Sequence, residues 1–229
     1  MQMTDDERPI ASELLALSRQ YVDLLSNADR RAAIDLVLRA ADEHPVEDIY
    51  TGLLQEAQYE VGRLWEANEI SVAQEHYTTA VTQLIMSLLY PRICETPKTR
   101  GAFIGVCVEG ELHEVGVRMV CDLFELRGWR SFYLGSSMPP ADLFRFIEQK
   151  RPDVIGISAI YDGNLQSARR LIAQLRSIVR RGVTILAGGR PFLRYPELWR
   201  EIGADGTAAD AAGSVEIAES LLASTGSST

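Results

Sequence analysis

The chain has 229 residues, 46% of them apolar, with 23 Lys and Arg against 32 Asp and Glu for a net charge of −9. That length allows two small domains or one large one, and the acidic balance argues against nucleic acid as a direct partner, because backbone binding needs clustered cations. No stretch approaches the roughly 20 apolar residues of a membrane span, and MQMTDDERP has neither the charge pattern nor the apolar segment of an export signal, so a cytoplasmic location is expected. Cys94, Cys107 and Cys121 form no C-x-x-C pair and read as reduced packing residues.

In chain order, the first 96 residues carry helical period. Leu14, Leu17, Tyr21 and Leu24 share one face of a first helix, and Ala33, Leu36, Val37 and Ala40 one face of a second, the two split around SNAD. A third helix starts after Pro45, with a stripe Leu54, Ala57, Val61, Leu64. A fourth starts at Ser71, where Ser71 and Gln74 have the spacing of a capping box, and its apolar row reads Val72, His76, Ala80, Leu84, Leu88. Four amphipathic helices with short connections predict a small antiparallel bundle. His44, in DEHPVED, sits in a charged turn before a proline and is assigned no role.

Beyond ETPKTRG, residues 101–223 alternate short β-type runs with helical ones: strands AFIGVCV, SFYL, DVIGIS and VTILAGG, a weaker fifth strand, and a helix after each. This predicts an α/β domain with a parallel five-stranded sheet, helices on both faces, in the flavodoxin-like (Rossmann-like) order 2-1-3-4-5. The basic helix NLQSARRLIAQLRSIVRR reads as a solvated face, and residues 224–229 as a flexible polar tail.

Ligands of such sheets bind beyond the strands' carboxyl ends, where strand order reverses. Strand one leads into Glu111, Leu112, His113 and Gly116, strand three ends at Ser158, and strand four ends in Gly188 and Gly189. An imidazole, a hydroxyl and two glycines therefore meet at one edge, and the glycines let a bulky group pass close to the backbone. GELHEVG lacks the G-x-G-x-x-G spacing of a dinucleotide site and puts Glu111 and Glu114 where a pyrophosphate would rest. Taken alone, His113 also reads as a surface-loop histidine. Ser158 has no placed base and forms no triad, and the acidic residues lack the spacing of a calcium loop. The chain is not expected to be an enzyme.

Glu111-x-His113-x-x-Gly116, then Ser158-Ala159-Ile160, then Gly188-Gly189 resembles the D-x-H-x-x-G, S-x-L and G-G pattern of the cobalamin-binding domain of methionine synthase and its relatives. The resemblance implies that His113 replaces the cofactor's own base as lower cobalt ligand, with the displaced nucleotide tail beside Ser158 and over Gly188 and Gly189. A neutral imidazole suits a transition metal, and its second nitrogen needs an acceptor. Glu111, which stands where the pattern has Asp, is placed to be that acceptor.

Trp65, followed after residues 66–74 by Glu75 and His76, is similar to the signature of light-sensing transcriptional regulators related to the MerR family. Read by periodicity alone, Trp65 and His76 are core residues of the bundle. The resemblance instead makes Trp65 a cover over the upper axial group, with Glu75 and His76 touching its sugar or base. Those regulators carry a DNA-binding module ahead of this unit, whereas the segment ahead of the predicted bundle here is short and acidic, and some have a histidine after the Trp where this chain has Glu66. The reading is a standalone cobalamin sensor, responding to light through cobalt–carbon cleavage and signalling to a protein partner or by self-association. Adenosylcobalamin is the expected form, with methylcobalamin as alternative. The alternative function is a corrinoid methyl carrier of a methyltransferase system. A rim including Tyr77 and Tyr161 leaves room for a second tetrapyrrole such as a bilin.

Overall fold

The computed structural model describes residues 7–179 and 182–226. The chain divides into two compact units between Ile93 and Cys94, a few residues ahead of the predicted linker.

In the first unit, α1 (Glu7–Ser26) and α2 (Arg30–Glu43) are separated by a turn in which the Asp29 carboxylate accepts the Ala32 amide at 3.0 Å. This satisfies one of the amide donors left open at a helix start. α2 buries the predicted Ala33, Leu36, Val37 and Ala40. On α1, Leu14 and Tyr21 are buried as expected, but Ser18, Val22 and Leu25 complete the inner face while Leu17 and Leu24 are half-buried.

After Pro45, α3 (Val46–Asp48) runs through a π-helical stretch, Ile49–Gln55, into α4 (Glu56–Glu66). The π stretch buries Ile49, Tyr50, Leu53 and Leu54. A Cβ on Gly52 would lie 3.0 Å from Leu14 Cδ1, so the glycine permits the close passage of α1.

α5 (Val72–Leu89) begins with the predicted capping box: the Gln74 amide donates to Ser71 Oγ at 3.3 Å, and the Ser71 amide to Gln74 Oε1 at 2.9 Å. Its apolar row is a correction. Val72, His76, Ala80, Leu84 and Leu88 are exposed, and Thr78, Val81, Thr82, Ile85, Met86 and Leu89 face inward. Thr82 can occupy the inner face because its hydroxyl is paired: Oγ1 lies 2.9 Å from both the Tyr21 hydroxyl and Gln58 Nε2 and donates to the Thr78 carbonyl at 3.1 Å. A short α6 (Pro91–Cys94) runs across the end of the unit.

The second unit is built on β1 (Ala102–Cys107), β2 (Arg130–Tyr133), β3 (Val154–Ser158) and β4 (Thr184–Gly188), all parallel in the order β2-β1-β3-β4. The intervening helices are α7 (Val115–Leu126), α8 (Pro140–Lys150) and α9 (Leu165–Ile178), the last entered through a 3-10 turn, Asp162–Asn164. Arg180 and Arg181 of the predicted basic helix lie outside the described residues. After β4 come α10 (Arg190–Arg194), α11 (Leu198–Glu201) and α12 (Ala211–Gly226).

The central strands β1 and β3 are buried on both faces, as their unbroken apolar runs require. Ile104, Val106, Ile155, Ile157 and Ile185 pack with Leu143, Ile147, Leu171 and Leu175 of α8 and α9. On the opposite face Phe103 stacks on Phe124 of α7 at 3.7 Å between ring centroids.

The predicted fifth strand shortens to a single parallel bridge, Leu186 to Gly206. The Ile185 amide, which a longer strand would engage through its backbone, donates instead to the Asp205 carboxylate at 2.7 Å. The predicted tail is also shorter: α12 carries the helix to Gly226, and residues 227–229 lie outside the described residues. No helix among the described residues is long and apolar enough to cross a membrane.

Candidate functional site

At the carboxyl edge of the sheet, register places Cys107 beside Ser158 and Ser158 beside Gly188, so the ends of β1, β3 and β4 are immediate neighbours. The loop leaving β1 is tied down by the Val108 amide donating to the Ser158 carbonyl at 3.0 Å, and it turns at Gly110 with φ 85°. The Glu111 amide closes the turn on the Val108 carbonyl at 3.0 Å. This turn drives Glu111 inward until it is 0% exposed.

The buried carboxylate accepts four hydrogen bonds. Oε1 takes the His113 amide at 2.9 Å and His113 Nδ1 at 2.5 Å. Oε2 takes the Ile160 amide at 2.7 Å and Asn164 Nδ2 at 3.0 Å. Burial works against the charge, but the hydrogen bonds from His113, Ile160 and Asn164 outweigh it and hold the carboxyl down to about 2. An ionised Glu111 makes Nδ1 the protonated nitrogen of His113 and Nε2 the one with the lone pair. The imidazole is half-exposed, with the Tyr161 ring edge-on at 4.9 Å and its hydroxyl 3.4 Å from Nε2.

A Cβ on Gly188, at the end of β4, or on Gly116, in the first turn of α7, would meet nothing within 4 Å, so both glycines border open space. Gly189 differs: at φ 118° its Cβ would collide with the Ala159 carbonyl, and only glycine fits. Ser158 is 7% exposed. Burial pushes the neighbouring Cys107 thiol up to about 12, which keeps it a neutral packing group. A cavity of about 100 Å³ between α8 and α9 is lined by Cys107, Glu109, Met138, Leu143, Ser167 and Arg170, and neither Ser158 nor the glycine pair lines it.

Glu111, His113, Gly116, Ser158, Gly188 and Gly189 thus share one edge of the second unit. Sequence reasoning missed Asn164 and the Ile160 amide, which complete the hold on Glu111. Asn164 lies too far along the chain to be paired with Glu111 by spacing, and an asparagine before a helix ordinarily reads as a cap. The residues fit a cobalt corrinoid: a nitrogen donor with a fixed tautomer, backed by a carboxylate, beside a backbone edge bare of side chains.

In the first unit, Trp65 lies in the last turn of α4 and is half-buried, and the chain reverses over residues 67–71, with Asn68 at φ 57°. Glu75 and His76 follow in the first turns of α5, at the same end of this helix pair. Their side chains pair through His76 Nδ1, and Glu75 Oε1 accepts the Thr79 hydroxyl at 2.9 Å. Thr79 in turn lies 3.3 Å from Gln58 Oε1, so a polar chain runs from Glu75 through Thr79 and Gln58 to Thr82 and Tyr21. The His76 side chain is 76% exposed and is not the core histidine that its row suggests.

Fold and site together define a corrinoid-type binding protein, and comparison with known proteins agrees. A B12 binding domain model matches residues 101–216 and a second B12 binding domain model matches residues 17–90; the chain belongs to the B12-binding domain family. It is 28% identical over 218 residues to dimethylamine corrinoid protein 3 of Methanosarcina acetivorans, covering 92% of this chain and 99% of that one. It is 29% identical over 131 residues to the HTH-type transcriptional repressor CarH of Myxococcus xanthus, covering 57% of this chain and 43% of CarH. Among solved structures, the monomethylamine corrinoid protein of Methanosarcina barkeri matches with a TM-score of 0.76 at 25% identity, over 91% of this chain and 98% of that one.

Proposed function

We propose that this chain binds cobalamin with the cofactor's own base displaced and His113 as lower cobalt ligand, and that it acts as a sensor. The Glu111–His113 pair carries the first part. A buried, ionised carboxylate holding Nδ1–H leaves Nε2 as the metal-facing nitrogen and raises its basicity. The open edge at Gly188 and the tight seat of Gly189 support a tail lying beside Ser158. Cobalamin in this position would supply a cobalt–carbon bond that light, or a methyl acceptor, can break.

The sensory reading rests on Trp65, Glu75 and His76 at one end of the α4–α5 pair. An indole covering the upper group would crowd a methyl donor or acceptor, whereas Glu75 and His76 suit the sugar or base of an adenosyl group. Loss of that group would remove contacts made in only one arrangement and bias a change of shape or assembly, read by a protein partner or a second copy. On this reading the chain is a binding protein and not an enzyme, and adenosylcobalamin is its ligand.

The second reading, a corrinoid methyl carrier, is favoured by the end-to-end alignment with methylamine corrinoid proteins, since CarH aligns over just 57% of the chain. Dark anaerobic reconstitution with adenosyl-, methyl- and aquocobalamin, and separately with a bilin, followed by spectra and sizing before and after green light, separates the two. A light-dependent change in spectrum and elution supports the sensor. Light-insensitivity together with methyl transfer to a partner methyltransferase establishes the carrier. His113→Ala is expected to fold and to lose the imidazole-on spectrum; an unchanged spectrum removes His113 as ligand.

A further inference from the structure

The helical unit carries a second set of metal-type ligands, away from Trp65, Glu75 and His76. His44 caps the C-terminal end of α2, its amide donating to the Ala40 carbonyl at 2.9 Å. Its imidazole is folded in, with the side chain 11% exposed. Nε2 is fully enclosed and has no hydrogen-bond partner among the described residues. Buried polar nitrogens are nearly always satisfied, so one enclosed without a hydrogen bond is suited to take a further ligand. Glu13, on α1, brings Oε1 to 3.6 Å from Nε2, too far for a hydrogen bond. With Glu43, the last residue of α2, the three side chains offer one ligand atom each, all within 4.8 Å of one another.

The charge on α2 points the same way. The helix opens on Arg30 and Arg31 and ends on Asp42 and Glu43, with no basic residue in its last turn. That is the reverse of what the helix dipole favours, and it leaves carboxylates beside the terminal carbonyls. Arg92 answers Asp42 at 2.5 Å and also donates to the Ala41 carbonyl. Glu47 and Asp48 add to the negative field, and the Asp48 carboxyl is raised by burial and by Glu47, with His44 opposing. A cation at this end would counter the helix dipole and the carboxylate charge of Glu43.

We infer that His44, Glu13 and Glu43 form a binding site for one divalent transition-metal ion, of the Zn²⁺ type, which staples α1 to the end of α2. One imidazole with two carboxylates suits such an ion better than Mg²⁺, which takes oxygen ligands. A point central to three atoms no more than 4.8 Å apart lies within about 2.8 Å of each. Rotation of the two exposed carboxylates closes this to the roughly 2.0–2.2 Å of zinc ligation, with water in the fourth place.

The test uses the full chain in a His113→Ala background, stripped with chelator, and titrates Zn²⁺ against a chromophoric competitor. One ion per chain is expected, bound at least about tenfold more weakly after His44→Gln or Glu13→Gln, with Mg²⁺ in excess failing to displace it. Far-UV circular dichroism checks folding; Glu13 is exposed, so Glu13→Gln decides the matter if His44→Gln unfolds. Undiminished Zn²⁺ affinity in these variants, displacement by Mg²⁺, or loss of the ion on His76→Ala instead would overturn the assignment. None of these outcomes depends on whether cobalamin binds.

Discussion

Glu111→Gln exchanges one carboxylate oxygen for an NH₂ at a fully buried position where every neighbour is a donor. The four donors divide evenly: the amide and Nδ1 of His113 on one oxygen, the Ile160 amide and Asn164 Nδ2 on the other. A glutamine serves two of them and turns its own hydrogens toward the other two, to which the His113 imidazole can respond only by changing tautomer and giving up the Nδ1–H that leaves Nε2 its lone pair. A hydrogen bond to a charged group contributes about 1.5–3 kcal/mol, so losing two costs about 3–6 kcal/mol. Because the His113 side chain is 43% exposed, water recovers part of the loss. The expected destabilisation is therefore about 3 kcal/mol. A carboxyl held at about 2 instead of 4.5 implies a similar figure, about 3 kcal/mol. Urea unfolding of the cofactor-free chain, followed by circular dichroism, measures it, with Glu109→Gln on the exposed side of the same loop as control. Asn164→Ala, which removes one donor, should cost about half as much. A Glu111→Gln chain within about 0.5 kcal/mol of the parent, the range of ordinary surface changes, would refute the claim that this carboxylate organises the site.

Gly189→Ala forces a side chain into φ 118° and against the Ala159 carbonyl, and is expected to destabilise the second unit by about 2 kcal/mol or more, read by the same unfolding assay. Tyr21→Phe removes the 2.9 Å contact with Thr82 but leaves Gln58 to satisfy that hydroxyl, so a loss of about 1 kcal/mol is expected from the first unit's transition. Mild alkylation at neutral pH, read by mass spectrometry, should label exposed Cys94 and spare Cys107 and Cys121, whose thiols are buried and held above their ordinary range, until urea opens the chain.

Much of this molecule is legible in its residues because its strongest signals are local. The central strands are unbroken apolar runs, and a parallel sheet covered on both faces is the arrangement that buries them. Connection lengths then place His113, Ser158 and Gly188 at neighbouring strand ends, since Ser158 and Gly188 end their strands and His113 lies in the loop that leaves β1. Ser71 and Gln74 announce the start of α5 for the same reason: a capping box is complete within four residues.

Tertiary structure decided what depends on partners distant in sequence. The inner face of α5 is its Thr78, Thr82, Ile85 row and not the more apolar Leu84, Leu88 row; Tyr21 and Gln58 supply the hydrogen bonds that make Thr82 acceptable inside. The fifth strand shrank to a bridge because the Asp205 side chain took a ladder position. Glu111 could be read beforehand as an acceptor for His113, but its complete burial and its hold by Ile160 and Asn164 required the 3-10 turn after β3 to come within hydrogen-bond reach of the β1 loop. Periodicity sorts residues into faces; which face turns inward, and which polar groups it can carry, is settled only where separate segments meet and satisfy one another's hydrogen bonds.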